Sequence, residues 1–101
     1  MLDYKAALLQ ALLEGEGYSL DLMERVRNRS AGRINLLQGR VSPALRALEQ
    51  DGLVRSWNGE STVERGGRPR RYYALTAEGK RIAQAQRRAI AGVVRASLRY
   101  V

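Results

Sequence analysis

Two strand-like stretches, 53–57 and 70–75, interrupt a chain most of whose other apolar residues recur at helical spacing. That change of period, from helix to strand and back, restricts the fold more than any other feature. In the second stretch Tyr72 and Ala74 fall on one face, and Arg71, Tyr73 and Leu75 on the other. Asn58-Gly59 has turn chemistry, and residues 60–69 are polar and rich in Gly and Arg. The two strands therefore read as a hairpin with a long, basic tip.

The flanking segments read as helices. Asp3 is placed to cap a first helix carrying Ala6, Leu8, Leu9, Leu12 and Leu13, which Gly15-Glu16-Gly17 ends. Ser19 is the expected cap of a second, with Leu20, Met23 and Val26 inward and Glu24, Arg25 and Arg27 outward. Residues 28–32 close it, and Arg33-Ile34-Asn35-Leu36 alternates like a brief strand. A third helix runs over 38–50, with Val41, Ala44, Leu45 and Leu48 in one stripe, until Asp51-Gly52 stops it. Pro43 is expected early enough in it to cost little. Thr76 caps a last helix reaching about Leu98, with Glu78 in its first turn.

The order helix, helix, short strand, helix, hairpin, long helix predicts a mostly α fold with a small β-hairpin: a winged helix-turn-helix with a long C-terminal dimerisation helix. Residues 1–76 form the winged-helix unit, with the helix-turn-helix at 19–50 and the wing at 53–75. Residues 77–101 form the dimerisation helix. Its stripe of Ile82, Ala85, Ala89, Val93 and Ala96, broadened by Ile90, Val94 and Leu98, outruns so small a domain and calls for a second copy.

Composition narrows the function. Eighteen Lys and Arg oppose ten Asp and Glu, a net charge of +8, so a polyanion is the natural partner. All the cations but Lys5 and Lys80 are arginine, whose rigid fork suits phosphate and guanine. Without Cys or His, thiolate nucleophiles, disulfides, Cys/His zinc sites and imidazole bases are excluded. The carboxylates are scattered without an acid/base pair, so the chain reads as a non-enzyme with no cofactor or metal. No apolar run is long enough for a membrane span and the N-terminus lacks a signal-peptide pattern, so a cytoplasmic location is expected.

The expected DNA surface has two parts. A helix about 10–12 Å across fits the major groove of double-stranded DNA. The third helix would present Gln38, Gly39, Arg40, Ser42, Pro43 and Arg46 there, with Arg suited to guanine and Gln to adenine. The wing would add Arg65, Arg68, Arg70 and Arg71, which meet no acid between 65 and 71. Tyr18, Tyr72 and Tyr73 fit either phosphate contacts or core anchors; Tyr4 and Tyr100 are unassigned. Taken singly, the helix also fits an ordinary amphipathic core helix and the tip a solvated basic loop.

Three blocks carry a family resemblance: Gly17-Tyr18-Ser19-Leu20; Pro43-Ala44-Leu45-Arg46-Ala47-Leu48-Glu49 with Asp51-Gly52-Leu53-Val54; and Arg70-Arg71-Tyr72-Tyr73-Ala74-Leu75-Thr76-Ala77-Glu78-Gly79. Over about residues 6 to 82 the chain resembles PadR-type regulators, and the last block, paired tyrosines running into Thr-x-x-Gly, is the most specific. The resemblance implies a homodimer joined through the C-terminal helix, in the compact branch with a single such helix. It also implies repression of neighbouring genes relieved by a small-molecule effector. Where such regulators typically carry Gly-Thr-Leu-Tyr, this chain has Gly39-Arg40-Val41-Ser42, implying either a different operator, which Arg40 as a base reader favours, or a drift from sequence-specific binding. No Trp follows Thr76, and Trp57 on the first wing strand is expected to pack the hairpin rather than clamp a ligand. The function expected is a sequence-specific transcriptional regulator, a repressor, on an inverted-repeat operator. The alternatives are a sequence-independent architectural DNA-binding protein and a winged-helix protein-interaction module.

Overall fold

The structure, a computed structural model, describes residues 2–61, 66–67 and 69–98, with the backbone alone at 61 and 93–98. Arg65 and Arg68 lie outside the described residues, as do the side chains of Val93, Val94 and Ala96. The elements are α1 (Tyr4–Leu12), β1 (Gly17–Tyr18), α2 (Ser19–Arg29), α3 (Gln38–Gln50), β2 (Val54–Ser61), β3 (Pro69–Leu75) and α4 (Ala77–Leu98). The strands form one antiparallel sheet in the order β1-β3-β2. This is the winged helix-turn-helix that the change of period predicts, with the long final helix in place.

Helix α1 is the hub. Asp3 caps it, its carboxylate accepting from the Ala6 N–H at 3.1 Å. Leu8, Leu9 and Leu12 then enter a core shared with Leu22 and Val26 of α2, Leu36, Val41, Leu45 and Leu48 of α3 and its approach, Val54 of β2 and Ala83 of α4. Each fully buried aliphatic side chain contributes about 1.5–3 kcal/mol, so this cluster drives the assembly of all four helices.

Helix α2 departs from expectation in three ways. Leu20 is 51% exposed while Leu22 is fully buried. Leu22 and Val26 are spaced i, i+4 and set the inward face; Leu20 stands about 200° around the helix from Leu22. Arg25 turns back rather than outward. Its guanidinium donates to the carbonyls of Ala11 (3.2 Å), Gly15 (2.8 Å) and Glu16 (2.8 Å), closing the C-terminal end of α1 and the loop after it. Ser19 is the first helical residue rather than the cap; Asp21 instead accepts from the Tyr18 N–H at 3.3 Å.

The expected strand at 33–36 is an irregular segment. Ser30 Oγ accepts from the Ile34 N–H at 2.9 Å and the Asn35 amide donates to Gly32 O at 3.0 Å. Ile34 and Leu36 do face the core, so the alternation is real, but among the described residues no strand pairs with it. The third strand is instead β1, with Gly17 opposite Tyr73 and Tyr18 opposite Tyr72.

The hairpin turn is also displaced. Asn58-Gly59 lies inside β2, with Asn58 opposite Arg71 and a register irregularity between Asn58 and Ser61. The described turn residues are Gly66 and Gly67, both in the left-handed region (φ +66° and +79°), which only glycine enters without steric cost.

Helix α3 has the predicted bounds, and Val41, Leu45 and Leu48 are buried. Pro43 lies a full turn beyond the start, past the positions where a missing N–H costs nothing. It denies a donor to the carbonyl of Gly39, which stays exposed to water. At the start of α4, Thr76 Oγ1 accepts from the Gly79 N–H (3.0 Å) and donates to Gly52 O (2.7 Å). Gly79 packs so closely on the Leu53 carbonyl that a Cβ there would overlap it.

Candidate nucleic-acid interface

Burial of Val41, Leu45 and Leu48 fixes which side of α3 looks outward. Gln38, Gly39, Arg40, Ser42, Pro43 and Arg46 are all exposed on that side. The entrance to the helix is held from below. Tyr4 of α1 accepts the Leu37 N–H on its phenolic oxygen at 3.0 Å, while the Leu37 carbonyl receives the first helical donors, Arg40 N (2.9 Å) and Val41 N (3.1 Å). Tyr4 thus gains a role that no local pattern indicates: it ties the orientation of α3 to α1.

The wing meets α3 across a cleft of about 250 Å³ lined by Tyr18, Ser19, Leu20, Gln38, Ser42, Arg70, Arg71 and Tyr73. Six of the residues singled out from the sequence, from three separate segments, therefore converge on one concavity. Ser19 and Leu20 are additions. They lie beside Tyr18 at the start of α2, and only the pairing of β1 with β3 brings them there.

Within the cleft the two wing cations are held differently. Arg71 is exposed and donates to Asn58 Oδ1 at 3.2 Å. Arg70 is half-buried, its guanidinium 4.4 Å from the centre of the Tyr18 ring. The Arg70 Nε is buried without a hydrogen-bond acceptor among the described residues. Tyr72 points to the other side of β3 from Tyr73, as the alternation predicts. It meets the Tyr18 ring edge-on at 5.9 Å and stacks on Trp57 at 6.1 Å. Trp57, beneath the Arg55 guanidinium at 4.7 Å, packs the hairpin. Tyr73 packs against the core.

The electrostatics favour an anion on this side. The ion pairs among the described residues lie elsewhere: Lys5 with Asp51, Arg29 with Glu14, and Arg81 with Glu78. Arg40 and Arg46 have no carboxylate within ion-pair distance among those residues. The described residues contain no group of three or more metal-ligating side chains placed to hold an ion. No helix among them is long and apolar enough to cross a membrane.

Away from this face, α4 leans on α1 through Gln10, which donates to Ala83 O (2.8 Å) and accepts from Arg87 Nε (3.1 Å). Ile82 packs against the chain's own core; Ala85 and Ala89 are exposed, and Ile90 is 60% exposed. Ile90 borders two apolar hollows. One, of about 420 Å³, includes Leu2, Ala6 and Ala89; the other, of about 560 Å³, includes Ala11, Val26 and Ile34.

Comparison with solved structures gives the same architecture. A transcriptional regulator from Clostridium thermocellum is 21% identical, with 97% of this chain and 89% of that one covered and a TM-score of 0.76. A PadR family transcription regulator from Clostridium difficile is 23% identical, with 96% of each chain covered and a TM-score of 0.76. PadR of Bacillus subtilis, solved in complex with operator DNA, is 20% identical over 81% of this chain and 45% of that one, with a TM-score of 0.70. At these identities the likeness establishes the fold. No curated protein matches the chain in sequence. The model of the transcriptional regulator PadR-like family matches residues 8–85, nearly the span of the resemblance read from the three blocks. The chain therefore belongs to the PadR-like family of transcriptional regulators, DNA-binding proteins of the winged-helix type.

Proposed function

We propose that the protein is a repressor that grips an inverted-repeat operator as a homodimer, acting by binding rather than by catalysis. The observation that carries this reading is the cleft where Gln38 and Ser42 of α3 face Arg70 and Arg71 of the wing, beside the exposed Arg40 and Arg46. A helix in the major groove and a basic flap on the adjacent backbone need that adjacency. Arg40 and Gln38 would read base edges, with Gly39, Ser42, Pro43 and Arg46 completing the contact face. Arg70 and Arg71, joined by Arg65 and Arg68, would hold the backbone, with Tyr18 and Tyr72 packed behind them.

In this reading residues 1–76 bind DNA and α4 joins two copies, through Ala85, Ala89, Ile90, Val93, Val94 and Ala96 with Ile82 at the base. A two-fold dimer would enter successive major grooves about 34 Å apart. Selection of bound sequences from random duplexes should return an inverted repeat with half-sites about ten base pairs apart. A featureless pool bound with equal affinity would favour an architectural protein instead. Arg40→Ala should relax one base position, weakening the operator more than an unrelated duplex.

A further inference from the structure

We infer that Tyr18 is a positioning residue: its ring, not its hydroxyl, holds Arg70 as a fixed clamp for one backbone phosphate at the cleft beside α3. This rests on the reading of the face as a duplex-binding surface, and adds to it a division of labour between an aromatic ring and the cation it holds.

Residues Tyr18 and Tyr72 are directly paired across β1 and β3, and Arg70 lies two residues further along β3, past the end of β1. An arginine there would ordinarily sample many rotamers in water. Here the guanidinium sits 4.4 Å over the Tyr18 ring, a geometry in which the ring face attracts the cation. The ring is itself braced: Tyr72 abuts it edge-on, and Tyr72 stacks on Trp57, which lies under Arg55. Gly59 makes the stack feasible, because a Cβ at that position would overlap the Tyr72 ring. A ladder of Arg55, Trp57, Tyr72, Tyr18 and Arg70 thus crosses the whole sheet and ends at the cleft.

The end of the ladder is where a donor is left over. The Arg70 Nε is buried and has no acceptor among the described residues, so the ring face rather than a hydrogen bond at Nε holds the guanidinium there. Ser19, Gln38 and Ser42 line the same cleft and offer further donors. A planar fork with several polar donors around it suits a phosphodiester oxygen. The Tyr18 backbone N–H is taken by Asp21, while its ring face lies under the Arg70 guanidinium. Its ring is therefore the part engaged.

The test is a double-mutant cycle on the full chain, with binding to the selected operator and to an unrelated duplex titrated against salt. Arg70→Ala should weaken both duplexes alike and lower the salt slope by about one phosphate's worth, roughly 0.9. Tyr18→Leu should weaken both by about five- to ten-fold, and add nothing when combined with Arg70→Ala. Tyr18→Phe, which keeps the ring and loses the hydroxyl, should recover the affinity that Tyr18→Leu loses. Should Tyr18→Leu fail to fold, fluorinated phenylalanines at position 18 keep the ring's shape while draining its face of charge, and affinity should fall with each fluorine. A Tyr18→Phe protein as weak as Tyr18→Leu, additive losses, or indifference to fluorination would overturn the inference. A loss confined to the operator would make Arg70 a base reader and overturn it too. Failure of the parent chain to bind any duplex at low salt would instead sink the underlying reading.

Discussion

At Gly79 one added methyl group decides whether the wing and the last helix can meet. The Leu53 carbonyl occupies the space a Cβ would need, and that carbonyl also accepts the Thr76 N–H at 3.0 Å, so it is not at liberty to withdraw. Gly79→Ala should destabilise the fold by about 2–3 kcal/mol and lower the melting temperature by roughly 10 °C or more. Thermal unfolding followed by circular dichroism checks this. The sequence marks the position through Thr-x-x-Gly, but the reason for the glycine is a contact with the strand start, invisible in a linear pattern. Tyr4 is the opposite case. Its hydroxyl accepts from Leu37, and Tyr4→Phe should cost about 1 kcal/mol while speeding amide exchange at Leu37. Among the charged residues, hydrogen bonds from Arg81 hold the Glu78 carboxyl below its ordinary value. The stability from that pair is therefore complete above the unfolded carboxylate pKa and lost as pH falls through the lowered one. Both groups are exposed, so the effect should be small and shrink further with salt. With no His in the chain, stability should be flat between pH 6 and 8, a point that one pH series of melting curves settles.

At the scale of elements, legibility follows how far apart the cooperating residues are. The bounds of α3 and the start of α4 were readable because a stripe, a cap and a stop signal lie within one segment. Strand β1 was not, because two residues acquire strand character only through β3, far along the chain. Asn58-Gly59 misleads because its chemistry suits a turn, whereas the glycine is needed for the bulk of Tyr72. Likewise the candidate cleft was legible residue by residue, in Tyr18, Gln38, Ser42, Arg70 and Arg71, but not as a cleft. Arg25 is the element-scale counterpart. Placed outward by helical phase, it instead spans from α2 to three carbonyls at the end of α1. Arg25→Ala should leave those carbonyls to water and cost about 2 kcal/mol, with Arg25→Lys recovering only part because a single ammonium cannot reproduce the fork. Urea titration of both variants measures the difference.

At the scale of the whole molecule, helix length decides what is left uncovered. Helix α1 has nine residues, about 14 Å, whereas α4 has 22, about 33 Å. Gln10 reaches Ala83, Gln86 and Arg87, so the support that α1 gives is spent in the first half of α4. Ile90, 60% exposed, stands where that support ends, and the apolar stripe in the sequence continues beyond it to Leu98. An amphipathic helix projecting past its own core gains stability only by burying that stripe against another surface, and a second α4 presents the same stripe in return. Ile90→Glu would set two carboxylates into such a seam. Light scattering should then report a dimer for the parent chain and a monomer for the variant, with the parent's melting temperature rising with protein concentration and the variant's not. The variant should lose affinity for a two-half-site duplex through loss of joint engagement, by about 10²-fold or more, yet bind a single half-site as the parent does. Equal loss on both duplexes would place Ile90 in the fold of the subunit instead, and a monomeric parent would remove the two-fold reading of the operator altogether.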